Sequence, residues 1–316
     1  MTNSGTAALH LAYILAGIKK GDEVISTVLT CTATHHPLLW MKAKIRFADI
    51  EPDTLNIDPK DVNKKITKKT KAIIVTHLGG LIANVSRINN SNVPVVEDAC
   101  QALGAKGVGK ADYTCFSFQA IKGLTTGDGG MLVVKTKEDY KRAKKLRWFA
   151  IDREQKIKQK WQAWNRRGIT FDQTEPGYKY QPTDIDAAIG LANLKIFDKY
   201  QNYRKKLVRI YRDKLRNISG VKLLKEGNSA NWLFMIKVIK GDRDGLADHL
   251  LKKGVETNVA HIRNDIFTAF GGKRQHLSNM NKIEMQYICL PLNPKVSEEN
   301  VKYICKAIRE YYQSKK

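Results

Sequence analysis

A lysine, an aspartate, a serine and a glycine-bearing helix start are the residues of this chain whose type and placement could do chemistry. Lys122 sits in the turn of ADYTCFSFQAIKGLTTGDGGMLVV (residues 111–134), where two apolar runs flank a glycine-rich stretch. A neutral lysine amine is a nucleophile toward carbonyl carbon and can also carry a proton. Asp98 directly follows the apolar run of VPVVEDACQALGA. A carboxylate at the end of a buried strand requires a cation or hydrogen-bond donors. Ser117 lies five residues before the lysine, and Gly5-Thr6 open a helix in NSGTAALHLA. Free amides and the positive end of a helix dipole attract an anion there, and glycine lets it approach closely. Each fragment alone also has an ordinary account: a capped helix start, a helix-capping aspartate before ACQALGA, and a solvated loop lysine.

The elements that must carry these residues are visible in the periodicity. TAALHLAYILAGI has the spacing of a helix, DEVIST reads as a short strand and HHPLLWMKA as helical. KIRFADI, KAIIVTHL, VPVVEDA, YTCFSF and GGMLVV are further strands. Short β-branched runs separated by helices predict an α/β fold with a mainly parallel sheet sandwiched by helices, in which ligands bind at the carboxyl ends of the strands. Residues 136–182 are mostly polar and basic. Thr183-Asp184 then cap a long amphipathic run with apolar positions at Ile185, Ala188, Ile189, Ala192 and Phe197. It is expected to link two domains: a large one over residues 1–200 and a smaller C-terminal α+β one over 201–316. The smaller one is read from NWLFMIKVI, DRDGLADHLLKKG, VETNVA and a final helix SEENVKYICKAIREYY. An anion cradle, a carboxylate, a hydroxyl and a lysine on adjacent strand ends are together what pyridoxal phosphate requires.

Composition narrows the alternatives. The 316 residues are 42% apolar and contain no run near the roughly 18 residues of a membrane span. The apolar stretch Ala7 to Ile18 has no preceding Lys or Arg, and reads as a capped helix in a cytoplasmic chain rather than a leader. Five widely spaced cysteines, Cys31, Cys100, Cys115, Cys289 and Cys305, suggest buried thiols and neither a disulfide framework nor a metal site. The formal net charge of +24 attracts polyanions. Its lysine clusters lack interleaved stacking aromatics, so solvated faces are the preferred account and no specific nucleic-acid partner is expected.

Five ordered motifs, NSGTAALHLA, RFADIEPDTLNIDP, VVEDACQALGA, CFSFQAIKGLTTGDGGML and GYKYQPTDIDAAIGLANL, resemble the DegT/DnrJ/EryC1/StrS family of sugar aminotransferases, within the fold type I pyridoxal-phosphate enzymes. The resemblance runs essentially end to end. It implies that Lys122 holds the cofactor as a Schiff base and then shuttles a proton between the substrate carbon and the cofactor's C4′. It implies that Asp98 pairs with the pyridine nitrogen, that Gln101 lies near the ring 3-hydroxyl, and that Gly5, Thr6 and Ser117 hold the phosphate. Where the family has Asn in GYNxR this chain has Lys179, expected to reach the phosphate of a neighbouring subunit. Cys31 stands where members place a flat group over the ring.

The implied reaction moves nitrogen from an amino acid, glutamate by family habit, to a keto group of a nucleotide-linked sugar, in a homodimer with shared active sites. Arg147 and Arg153 in RWFAIDRE, and His261, Arg263 and Asn264 in HIRNDIFTAFGG, are the candidate substrate contacts. The family normally has some dozens of residues before SGT, whereas this chain starts three residues before Ser4. A catalytically impaired homologue or a subunit dependent on a partner is therefore a second expectation. A family dehydratase has histidine in place of the lysine, which Lys122 argues against.

Overall fold

The computed structural model describes residues 1–88, 92–158 and 173–314. Strands β1 (Glu23–Thr27), β2 (Lys44–Ala48), β3 (Thr70–Thr76), β4 (Val95–Asp98), β5 (Tyr113–Ser117) and β6 (Gly130–Val134) form one sheet in the order β2-β1-β3-β4-β5-β6. All neighbours run parallel except β6, which returns antiparallel to β5. The turn between those last two strands carries Lys122.

Both faces are covered, which is why the strands read as unbroken apolar runs. On β3, Ala72 and Ile74 pack with α1 (Gly5–Leu15) and with Leu38 of α2 (His36–Trp40). Ile73 and Val75 face Val62 of α3 (Pro59–Lys65) on the other side. Each aliphatic side chain buried in this way contributes about 1.5–3 kcal/mol. Helix α1 is apolar nearly all round, and nine of its eleven residues are buried, so it is a core helix. Ser4 caps it, its hydroxyl accepting from the amide of Ala7. Thr2 and Gly130 exchange backbone hydrogen bonds of 2.8 and 2.9 Å, which pins the start of α1 to the end of the sheet. Beyond β6 lie α4 (Lys137–Leu146) and α5 (Arg153–Lys158). Residues 159–172 of the basic stretch, after α5, lie outside the described residues.

A 32-residue helix, α6 (Asp184–Leu215), starts with a capping box between Thr183 and Asp186. Its first half meets the turn between β5 and β6, where Asn193 donates to Thr125 O at 3.0 Å, and past its midpoint Gln201 donates at 2.9 Å to Leu103 O in the segment after β4. Its last turns enter a second core through Leu207, Tyr211 and Leu215. That core is roofed by the antiparallel sheet of β7 (Val221–Leu223), β8 (Phe234–Val238) and β9 (Tyr287–Leu290), with α7 (Arg243–Lys252) and α9 (Glu298–Gln313). A third cluster joins the two bodies: Val28, Leu29, Phe47 and Leu78 of the larger pack against Met235, Leu277 and Met280 of the smaller, the last from α8 (Ser278–Ile283). The division placed at residue 200 falls inside α6, which is continuous through it.

Three local readings change. VETNVA contributes only an isolated bridge, in which Asn258 exchanges backbone hydrogen bonds of 2.6 and 3.3 Å with Cys289 on the outer edge of β9, and the pairing extends no further. Cys31 and Cys100 are only partly buried, unlike Cys115, Cys289 and Cys305. The apolar stripe Ile185, Ala188, Ile189 and Ala192 faces outward, with Ile185 73% exposed, whereas the inner face of α6 runs through Gly190, Asn193, Phe197, Gln201 and Arg204.

Candidate active site

The carboxyl ends of β3, β4 and β5 and the amino end of α1 meet at one cleft, as the topology requires of a parallel sheet. Asp98 ends β4 and is buried. Its Oδ1 accepts from the amide of Cys100 at 3.1 Å, and its Oδ2 from the hydroxyl of Thr34 at 2.6 Å. Because Thr34 spends its proton on the carboxylate, it must accept from Thr30 (2.9 Å), which in turn accepts from Thr76 (3.2 Å). This chain of hydroxyls fixes the carboxylate's plane. Its members lie in the turn after β1 and at the end of β3, and the sequence reading passed over them. Cys31, singled out instead, begins the 3-10 turn that delivers Thr34.

The anion cradle is built where α1 begins. The amides of Gly5 and Thr6 have no acceptor among the described residues, and no acidic side chain occupies the first turn. A Cβ on Gly5 would lie 2.8 Å from Cβ of Ser117 and 3.0 Å from Sγ of Cys100, so only glycine lets the helix start come this close to β5. Lys122 follows at the turn. Its ammonium lies 4.2 Å from the ring centroid of Trp232, whose indole Nε1 donates to Ile121 O at 3.2 Å. A cation over an indole face is attracted by the ring quadrupole, so Trp232 holds the lysine while binding its loop. Trp232 is held in turn by its own amide, which donates to Gly79 O at 3.1 Å. Cys100, Gln101, Ser117, Lys122, Arg204 and Trp232 line one narrow cleft.

Gln101 is oriented by two bonds. Its Oε1 accepts from the amide of Gly79 at 2.6 Å, leaving its Nε2 to face Nε2 of His261 at 2.9 Å. His261 therefore accepts at Nε2 and carries its proton on Nδ1. Burial, with the Lys122 charge added, lowers its pKa to about 4. His35, sealed between Ser26 and Asn264 at 2.8 Å each, is lowered to about 3 by burial and by His36. With the Asn264 amide oxygen toward His35 Nδ1, its nitrogen reaches the carbonyls of Ile262 and Thr30. His10, against Tyr178 and Tyr180, is lowered to about 4 by burial.

Groups depressed in this way stay neutral in the folded chain yet protonate in the unfolded chain below the usual histidine value. The stability they contribute is complete above about pH 6.5 and is lost as the pH falls toward 4, on the order of several kcal/mol for the three together. Thermal unfolding followed from pH 8 down to 4 is expected to show a flat Tm to about 6.5 and a steep fall below it. An unchanged Tm across that lower window would contradict the assignment.

The candidate substrate residues separate into two places. Arg263 is fully buried and saturated: it forms a two-point pair with Asp265 at 2.6 and 2.7 Å and donates to Asn281, Glu284 and Gln275 O. Asn264 is equally enclosed, so of the HIRN run only His261 joins the Lys122 site. Arg147 and Arg153 lie together in a separate basic cleft with Lys141, Lys144 and Gln181. Arg147 donates to Met1 O at 2.8 Å, and Arg153 lies 5.5 Å from the Trp148 ring. Lys179 is exposed, paired through its backbone with Trp148, and does not line the Lys122 cleft of its own chain. Its neighbours Tyr178 and Tyr180 stack on each other, 4.9 Å between centroids.

A lysine at a strand-end turn, an acidic group fixed on the adjacent strand and an unpaired helix start fit pyridoxal 5′-phosphate at its aldehyde carbon, ring nitrogen and phosphate. Fold and site together define a fold type I pyridoxal-phosphate enzyme. A model of the DegT/DnrJ/EryC1/StrS aminotransferase family matches residues 1–309, and the chain belongs to that family, whose members are pyridoxal-phosphate-dependent sugar aminotransferases. Among relatives, GDP-perosamine synthase of Escherichia coli O157:H7 is 32% identical over 99% of this chain and 85% of its own length. The sugar aminotransferase CalS13 of Micromonospora echinospora superposes with a TM-score of 0.89 at 30% identity, covering 98% of this chain and 86% of the other. The PMP-form of Spr1654 from Streptococcus pneumoniae gives 0.87 at 28% identity, covering 99% and 87%.

Proposed function

We propose that this chain moves the amino group of glutamate to a keto group of a nucleotide-linked sugar, for cell-surface polysaccharide, as a homodimer of the cytoplasm. The observation that carries the reading is that Lys122 and Ser117 line one cleft with Cys100, while Cys100 binds the Asp98 carboxylate through its amide and the start of α1 at Gly5 packs on Ser117 and Cys100, in an aminotransferase-family chain. Bound there, pyridoxal phosphate supplies an electron sink for the bond broken at the amino acid's α-carbon. The Lys122 Nζ would hold the aldehyde carbon and would afterwards carry a proton in that region. Asp98 would keep a proton on the ring nitrogen, and the Gly5 and Thr6 amides with Ser117 would hold the phosphate.

The nucleotide-linked acceptor is supported by the activity named for the E. coli relative and by the paired guanidinium groups of Arg147 and Arg153, which suit a diphosphate. The homodimer is supported by the outward apolar stripe of α6 at Ile185, Ile189 and Ala192, which a second copy would cover. It is also supported by Lys179, which lies outside its own chain's cleft and is free to serve a partner's. No helix among the described residues is long and apolar enough to cross a membrane.

The test is single-turnover amination with glutamate across a panel of nucleotide-linked keto-sugars, beside light scattering for mass. Amino-sugar formed with one nucleotide preferred, by a dimer, is the expected result. Turnover of free keto-sugars alone, or full activity as a monomer, would overturn the substrate or the assembly reading respectively.

A further inference from the structure

On the inner face of α6, Arg204 is 7% exposed, and its Nε has no hydrogen-bond partner. It forms no ion pair among the described residues, and burial alone pulls its pKa below the ordinary arginine value. A buried guanidinium with no counter-charge is costly, and such groups persist where something else supplies the charge. Three residues earlier on the same helix face, Gln201 is equally buried and its Oε1 is unpaired. Both side chains open into the Lys122 cleft. Arg204 packs close against Gly123, where a Cβ would sit 2.9 Å from its Nη1.

The remaining walls indicate what is missing. Lys122 and Arg204 are the charged side chains that line this cleft, and no carboxylate lines it with them. Ser117 and Cys100 are shared between the cleft and the start of α1, where the amides of Gly5 and Thr6 are also without acceptors. Unpaired donors therefore stand on both sides of Ser117 and Cys100, Arg204 in the cleft and the two amides at the start of α1, all suited to a compact anion.

We propose that the guanidinium of Arg204 binds the phosphate group of pyridoxal phosphate, as the charged member of the cradle formed with the Gly5 and Thr6 amides and the Ser117 hydroxyl. The proposal rests on the cofactor reading above. Arg204 is thereby kept at the expense of stability: the empty chain carries an unpaired buried charge, and the loaded chain neutralises it. Gln201 Oε1 accepts one guanidinium N–H or a bridging water and holds the fork in plane.

Equilibrium titration of the cofactor-free full chain with pyridoxal phosphate and with pyridoxal, which lacks the phosphate, separates the possibilities. In Arg204→Met, affinity for pyridoxal phosphate is expected to weaken roughly ten-fold or more, as for loss of a charged hydrogen bond. Affinity for pyridoxal is expected to be unchanged. Arg204→Lys should keep part of the preference. The Tm of cofactor-free Arg204→Met should rise by about 2 °C or more, while the further rise on adding pyridoxal phosphate shrinks.

Equal weakening toward both aldehydes would overturn the proposal, as would an unaltered preference for the phosphorylated one. A raised KM for glutamate with unchanged cofactor binding would overturn it too, assigning Arg204 to the donor's carboxylate. A wild-type chain that binds neither aldehyde would sink the cofactor reading itself, a result distinct from a wild type that binds both and a variant that does not discriminate.

Discussion

Lys122→Ala is expected to abolish amino transfer, by roughly four orders of magnitude or more, and to remove the visible absorbance that borohydride bleaches in the wild type. Two roles are lost together. The amine is the nucleophile, held over an aromatic face 4.2 Å from the Trp232 centroid, and it is also the proton carrier, close enough for its charge to act on His261 and Cys100. The fold should survive, because Lys122 is half-buried and its backbone amide is satisfied at 2.9 Å by Gln119 O within the turn. Near-wild-type Tm with no bleachable band is therefore the signature. Partial recovery of turnover by added small primary amines would show that the missing group is a base. Retention of both band and turnover by Lys122→Ala would remove the central residue of the site.

That lysine illustrates how far the sequence can be read. Glycine and serine around it mark a turn between two apolar runs, and nothing local separates a working amine from a solvated one. Its standing came from the motifs around Gly5, Asp98 and Ser117, and the sheet order places β4 beside β5 and α1 against both. The parallel sheet was legible because its central strands β3 and β4 carry Val/Ile runs buried on both faces. β7 is not legible because it has three residues, of which only Val221 is buried, against the second core, while Lys222 is exposed. VETNVA has the composition of a strand and reaches the edge of β9, but it pairs there through Asn258 alone.

Residues acting through long-range contacts were also invisible. Thr34 and Thr30 are ordinary loop threonines until Asp98 arrives 64 residues later. Trp232 is an aromatic in an apolar run until its indole meets Ile121. Arg204 sits in a lysine- and arginine-rich helix face, where a charge ordinarily means solvent. The inward turn of that one residue is a property of packing, since Gly123 and Gly104 leave room for the inner face of α6. Arg263 shows the reverse error: an arginine in a polar run read as a phosphate ligand, whereas the structure spends every donor on Asp265, Glu284 and their neighbours.

Asp98→Asn should cut kcat/KM by about 10²–10⁴-fold while leaving cofactor attachment intact. The substitution preserves shape. The asparagine oxygen can still accept from the Cys100 amide, as Oδ1 does at 3.1 Å. The new amide nitrogen then faces Thr34, which must reverse its proton, and the Thr30 and Thr76 hydroxyls can turn with it at small cost because each both donates and accepts. What cannot be preserved is charge. A neutral amide does not hold a proton on the ring nitrogen, and a buried cation that loses its partner costs about 3–5 kcal/mol, which sets the size of the fall. The effect should appear in kcat more than in KM for either substrate, because the pairing matters most when negative charge flows into the ring. A cofactor methylated at the ring nitrogen carries its charge permanently. It should recover activity in Asp98→Asn but none in Lys122→Ala, and failure to recover would assign Asp98 to positioning rather than to charge.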